Sequence, residues 1–128
     1  MTRLVLTAFF LLFTQAALAQ SEDADANTLE LKATCEHLIL AVENSGLTFI
    51  RNNNRATGDK AAQHIRRKYE HFQDEITSPE EFIEFTATRS LMTGKAYEVV
   101  LADGQRMPLK DWMLGILQLY RDDSPSSP

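Results

Sequence analysis

Between Thr57 and Phe72 the chain reads TGDKAAQHIRRKYEHF, and the spacing of its apolar residues constrains everything around it. A helix turns about 100° per residue, so Ala61, Ala62, Ile65, Tyr69 and Phe72 share an arc of roughly 100°. A stripe of that width needs an apolar surface to cover it, which the rest of the chain must supply. Thr57 and Asp59 are both N-cap candidates, because a side-chain oxygen there can accept from first-turn amides. His64 and Lys68 border the arc, His71 lies just beyond it, and Arg66 and Arg67 point to solvent. The result is a cationic rim on an amphipathic helix, which reads as a solvated face whose long stems cover the core edge.

The 128 residues suffice for one domain, and the first stretch is not part of it. Arg3 is followed by an almost unbroken apolar run from Leu4 to Phe13, then by the small-x-small triplet Ala17-Leu18-Ala19. This is the pattern of a secretory signal peptide, residues 1–19, cleaved before Gln20 and too short to span a bilayer. The expected location is therefore periplasmic or secreted, with no membrane anchor after cleavage. Without Arg3 there are 12 basic against 18 acidic residues, a formal charge of −6. Such a balance argues against nucleic acid as a partner. The one cysteine, Cys35, cannot form an intrachain disulfide, and it falls on an apolar helical stripe, where a buried thiol is expected.

Residues 20–28 are small, polar and acidic and read as a disordered lead-in. Leu31, Cys35, Leu38, Ile39 and Val42 repeat at helical spacing, predicting a helix from Thr28 to Ser45 closed by Gly46. Leu47 to Arg51 is a strand candidate, and Asn52-Asn53-Asn54 a turn. Ser78-Pro79-Glu80-Glu81 is a capping box with proline at the first helical position, starting a helix that runs to Arg89. Gly94 marks a turn, Tyr97 to Leu101 a second strand, and Asp103-Gly104 another turn, after which Gln105 to Met107 can return as a third strand. Leu109, Trp112, Met113, Ile116, Leu117 and Tyr120 predict a last helix, and residues 122–128 a disordered tail. The expected architecture is α+β: about four helices on a small two- or three-stranded antiparallel sheet, in one domain over residues 29–121.

Several segments occur in fixed order: Phe49-Ile50-Arg51-Asn52; Ala62-Gln63-His64-Ile65 with Lys68; Pro79-Glu80-Glu81-Phe82-Ile83; Ala87-Thr88-Arg89-Ser90; Gly94-Lys95-Ala96-Tyr97; Leu109-Lys110-Asp111-Trp112; and Tyr120-Arg121. This succession resembles the YfeK-like family of small secreted bacterial proteins, a domain of unknown function. The family pattern favours Asn-Gly where this chain has Asn52-Asn53, and serine where it has Thr88. The resemblance implies a signal peptide and a periplasmic location, and it implies no activity.

Chemistry must then be sought residue by residue. His64 and His71 stand two turns apart on one helix, about 10 Å along its axis, so they cannot share an ion unaided, and neither a metal nor a cofactor is expected. Catalysis would need a nucleophile beside a base; a small periplasmic hydrolase using His64 with Ser90 or a carboxylate is the alternative reading. The preferred reading is a binding or protein-interaction module. Arg51, Asn52, His64, Lys68, Arg89, Ser90 and Tyr97 could converge on a pocket for a small anionic ligand, with edge strands offering a second route to a protein partner. Each has a structural alternative: Arg51 pairing with Glu98, Arg89 capping its own helix, His64 bonded to a carbonyl.

Overall fold

The computed structural model describes residues 24–124. The segment 1–19 read as a signal peptide, the expected lead-in up to residue 23 and residues 125–128 of the expected tail lie outside the described residues. The chain divides into two compact units, residues 1–32 and 33–128. Of the first, residues 24–32 are helical and largely exposed. They open helix α1, residues 24–43, which begins ahead of the expected Thr28 and stops just short of Ser45.

Cys35, Leu38, Ile39 and Val42 of α1 are fully buried, the stripe read from their spacing. Gly46 then takes the left-handed backbone (φ +69°) that turns the chain away from the helix end. Strand β1 (Thr48–Arg51) and strand β2 (Asn54–Ala56) follow as a hairpin, Arg51 facing Asn54 and Phe49 facing Ala56. Asn52 (φ 52°) and Asn53 (φ 66°) form its two-residue loop. Two successive positive φ angles are what a tight hairpin of right-handed twist demands, and asparagine tolerates them better than other side-chain-bearing residues.

Helix α2 (Gly58–Phe72) is the central helix, with Thr57 at its N-cap making no side-chain hydrogen bond. A short 3-10 turn (Gln73–Glu75) leads to helix α3 (Pro79–Ala87), where the Ser78 hydroxyl accepts from the Glu81 amide at 3.1 Å as the capping box requires. Strand β3 (Glu98–Val100), strand β4 (Arg106–Pro108) and helix α4 (Leu109–Asp123) complete the chain, the last helix running two residues into the segment read as tail.

The fold is α+β as expected, with four strands rather than two or three: an antiparallel sheet in the order β2-β1-β3-β4. Strand side chains alternate, so Phe49, Arg51, Ala56, Val99 and Met107 share one side of the sheet. Helix α2 packs on β1 and β2, α4 on β3 and β4, and α3 touches both helices. Phe49 meets Trp112 edge-on at 6.1 Å, Tyr69 meets Phe82 at 5.1 Å, and Phe72 stacks on Phe85 at 5.2 Å. Fully buried Phe82, Ile83, Val99 and Met113 form the centre, each contributing roughly 1.5–3 kcal/mol by burial.

Helix α1 runs antiparallel to α2, since the Val42 and Glu43 carbonyls abut Gly58 while Glu36 forms a two-pronged pair with Arg66, both contacts at 2.7 Å. Cys35 is buried, and loss of water pushes its thiol up to about 11, so it stays protonated.

Candidate functional site

The C-terminal half of β1 carries Arg51 on the helix-facing side of the sheet, opposite the middle of α2. There Arg51 donates to His64 Nδ1 at 3.3 Å. A guanidinium has no lone pair, so Nδ1 must be the accepting nitrogen and Nε2 carries the proton. Nε2 in turn donates to the Tyr97 hydroxyl oxygen at 3.2 Å. Lys68 Nζ reaches the same oxygen at 3.3 Å and the Arg89 carbonyl at 3.2 Å. Tyr97 therefore accepts two hydrogen bonds, and its own proton has no acceptor among the described residues.

Behind this chain the hairpin is fastened to the loop after α3. Asn52 Nδ2 donates to Ser90 Oγ at 3.2 Å, and the Thr93 hydroxyl donates back to Asn52 Oδ1. Ser90 Oγ also accepts from the Met92 amide at 3.2 Å. The loop is closed by the Ser90 and Lys95 backbones and by the left-handed Gly94.

All seven residues singled out from the sequence thus belong to one connected neighbourhood, with one difference of detail. Arg89 enters through its carbonyl, while its guanidinium is exposed and lies 3.8 Å from Glu84. The alternatives of an Arg51–Glu98 pair and a carbonyl-bonded His64 give way to the Arg51–His64–Tyr97 chain. Ser90 and His64 share no hydrogen bond: both imidazole nitrogens are engaged by Arg51 and Tyr97, and the serine oxygen by Asn52 and the Met92 amide.

The electrostatics follow first from burial and then from the crowding of cations. Burial, then Arg51, Lys68 and Arg67, push the His64 imidazole down from 6.5 to about 4, so it is neutral at pH 7. Burial and Arg51 also lower the Lys68 ammonium. Burial raises the Tyr97 phenol against the opposing pull of Arg51, which keeps its hydrogen in place.

In front of Arg51, His64 and Tyr97 lies a cavity of about 340 Å³ between the hairpin and α2. Asn52, Lys68, Arg89 and Ser90 do not line it. Four cations line it, Arg51, Arg55, Lys60 and Arg67, and no carboxylate does. None of the four forms an ion pair among the described residues, whereas Arg66, Arg89, Lys110 and Arg121, all off the cavity, each pair with a glutamate. On its outer flank the wall formed by Arg55 and Lys60 is shared with a shallower depression that also contains Glu43 and Asp59.

Arg55, Lys60, Gln63 and Arg67 were not singled out from the sequence as site residues, and Arg67 was assigned to solvent. The signal was there. Lys60, Gln63, His64 and Arg67 recur at i, i+3, i+4 and i+7, a polar stripe alongside the apolar one. Arg55 becomes visible once Asn52-Asn53 is read as a hairpin loop, which folds β2 back beside Arg51. Among the described residues no group of three or more histidine, cysteine or carboxylate side chains could hold a metal ion, and no helix is long and apolar enough to cross a membrane.

The sequence profile of a family of unknown function, DUF5329, matches residues 29–121. No curated protein and no solved structure matches.

Proposed function

We propose that this chain, which belongs to the DUF5329 family, is a binding protein for small organic anions that works outside the cytoplasm. The observation that carries the reading is the cavity between the hairpin and α2: four unpaired cations, a neutral imidazole and a phenol on its lining, and no carboxylate, in a chain of net charge −5. Converging like charges repel one another, so such a cluster costs stability unless an anion occupies it. Arginine presents several N–H groups in a planar fork suited to carboxylate or phosphate oxygens, and the phenol adds a directed donor.

In this reading Arg51, Tyr97 and Arg67 contact the anion, with Arg55 and Lys60 closing the outer rim. His64 holds Arg51 and Tyr97 in register. Lys68, Arg89, Asn52 and Ser90 hold the hairpin, α2 and the following loop at the spacing the cavity needs. Calorimetric titration with acetate and with inorganic phosphate tests it. Saturable binding by the purified protein, weakened at least tenfold by Arg51→Gln, is the expected result. Anions that bind the variant and the wild type equally would overturn it.

The compartment follows from residues 1–19. Mass spectrometry of the exported protein should find Gln20 at the mature N-terminus, and a retained Met1 would remove the argument. The YfeK-like resemblance of the sequence points to the same compartment. A protein partner is the second reading, favoured by Leu91 and Met92, which are 73% and 94% exposed at the turn tied to Asn52. A ligand-free protein that elutes alone from a periplasmic extract, with no change on Met92→Ser, would count against that reading.

A further inference from the structure

We propose that the ligand of the cavity is an amphipathic anion, one oxyanionic head group carried on a short apolar body. This rests on the anion-binding reading above and specifies what kind of anion is bound. The lining is graded in polarity with depth. Phe49, Ile65, Thr86 and Leu109 reach it from the core, and none is more than 3% exposed. The Thr86 hydroxyl donates to the Phe82 carbonyl of its own helix at 2.7 Å, so its hydrogen is already engaged. Arg51, Arg55, Lys60 and Arg67, by contrast, are all exposed and stand at the mouth. Between floor and mouth sits Tyr97, itself only 5% exposed, with its unengaged O–H hydrogen.

A small hydrated anion would satisfy the mouth and leave the apolar floor wet. A ligand with an apolar body removes water from that floor, which is the larger favourable effect available to a cavity with such walls. The head cannot carry its charge far inward, because no cation lies at the floor and a deeply buried, unpaired oxyanion is strongly disfavoured. Tyr97 marks the depth at which charge gives way to hydrocarbon. A volume of about 340 Å³ lies at the lower end for ligand pockets, which keeps the body short.

Calorimetry on the purified protein separates the two layers of the proposal. The probes are acetate, hexanoate, octanoate, octyl phosphate, inorganic phosphate and hexan-1-ol. Expected is an affinity that rises roughly fourfold per methylene along the carboxylate series until the cavity is filled. Hexan-1-ol should bind at least about tenfold more weakly than hexanoate, having no charge for the arginines. Ala61→Leu, which adds bulk at the lining of α2, should flatten the chain-length dependence while inorganic phosphate still binds at the rim. Octanoate against octyl phosphate identifies the head. If acetate and inorganic phosphate bind as well as octanoate, the anion reading survives and the apolar body is wrong. If hexan-1-ol equals hexanoate, or no probe binds, both fall.

Discussion

His64 occupies a position where two ordinary tendencies of histidine are suppressed together. It is too buried, and too crowded by Arg51, Lys68 and Arg67, to charge, and too well bonded through both nitrogens to change tautomer. Its folded value of about 4 lies below the ordinary 6.5, so as pH falls the unfolded chain takes up a proton first. Its contribution to stability is therefore complete above about pH 6.5 and is lost progressively down to about pH 4. Thermal unfolding of wild type and His64→Gln over that window reads this directly: the gap between the two should stay constant above pH 7 and shrink below 6.5. Parallel curves throughout would mean that His64 titrates normally. Arg51 supplies the second cause of the shift after burial, so in Arg51→Gln the imidazole titration followed by NMR should move up from about 4 yet stop short of 6.5. A full return to 6.5 would make charge, not burial, the dominant cause.

Among the elements, α1 and α2 meet in a close backbone contact at Gly58. A Cβ at Gly58 would stand 2.5 Å from the Val42 carbonyl oxygen and 2.8 Å from that of Glu43. Both are backbone atoms at a helix end, so neither can swing aside as a flexible side chain would. Gly58→Ala should therefore destabilise by roughly 1–3 kcal/mol in denaturant unfolding, although alanine is the better helix former. No loss would show that the two helix ends are free to separate. The helices and the Ser78 cap were legible in the sequence because their signals are local, whereas Thr57 makes no side-chain cap bond and α1 begins ahead of Thr28. The stripe Leu31 to Val42, the stripe of α2 and the Ser78-Pro79-x-Glu81 start each specify their own element without reference to anything distant. Strand β2 was not, since Asn54-Arg55-Ala56 is three residues long, is at the sheet edge, and has no apolar alternation to announce it. Its existence depends on the φ angles of Asn52 and Asn53, a feature that the letters only permit. The same holds for the site. Arg51 at a strand end and His64 at the border of an apolar arc stood out in the sequence, but Arg55 joins them only through a pairing between strands.

At the scale of the whole molecule the distribution of charge is uneven in a way that single residues do not show. The protein is acidic overall, and its glutamates are used to pair Arg66, Arg89, Lys110 and Arg121 around the periphery. Arg51, Arg55, Lys60 and Arg67 are left facing one cavity without a carboxylate. In the empty protein that arrangement is self-repulsive, and the repulsion is screened by salt. Removing one of these charges should therefore stabilise the empty protein while removing part of its hold on an anion. Arg67→Gln is the cleanest choice, because Arg67 is exposed and makes no ion pair among the described residues. At an ionic strength of about 0.01 M, where screening extends to roughly 30 Å, the variant should unfold at a higher temperature than wild type. At about 0.1 M the screening length falls to roughly 10 Å and the difference should narrow. Adding inorganic phosphate should then reverse the order, since bound ligand stabilises only the protein that binds it well. A variant less stable than wild type at both ionic strengths would show that the packing of the Arg67 stem outweighs its charge. The cavity would then be cationic by accident of a solvated helix face rather than by the demands of a ligand.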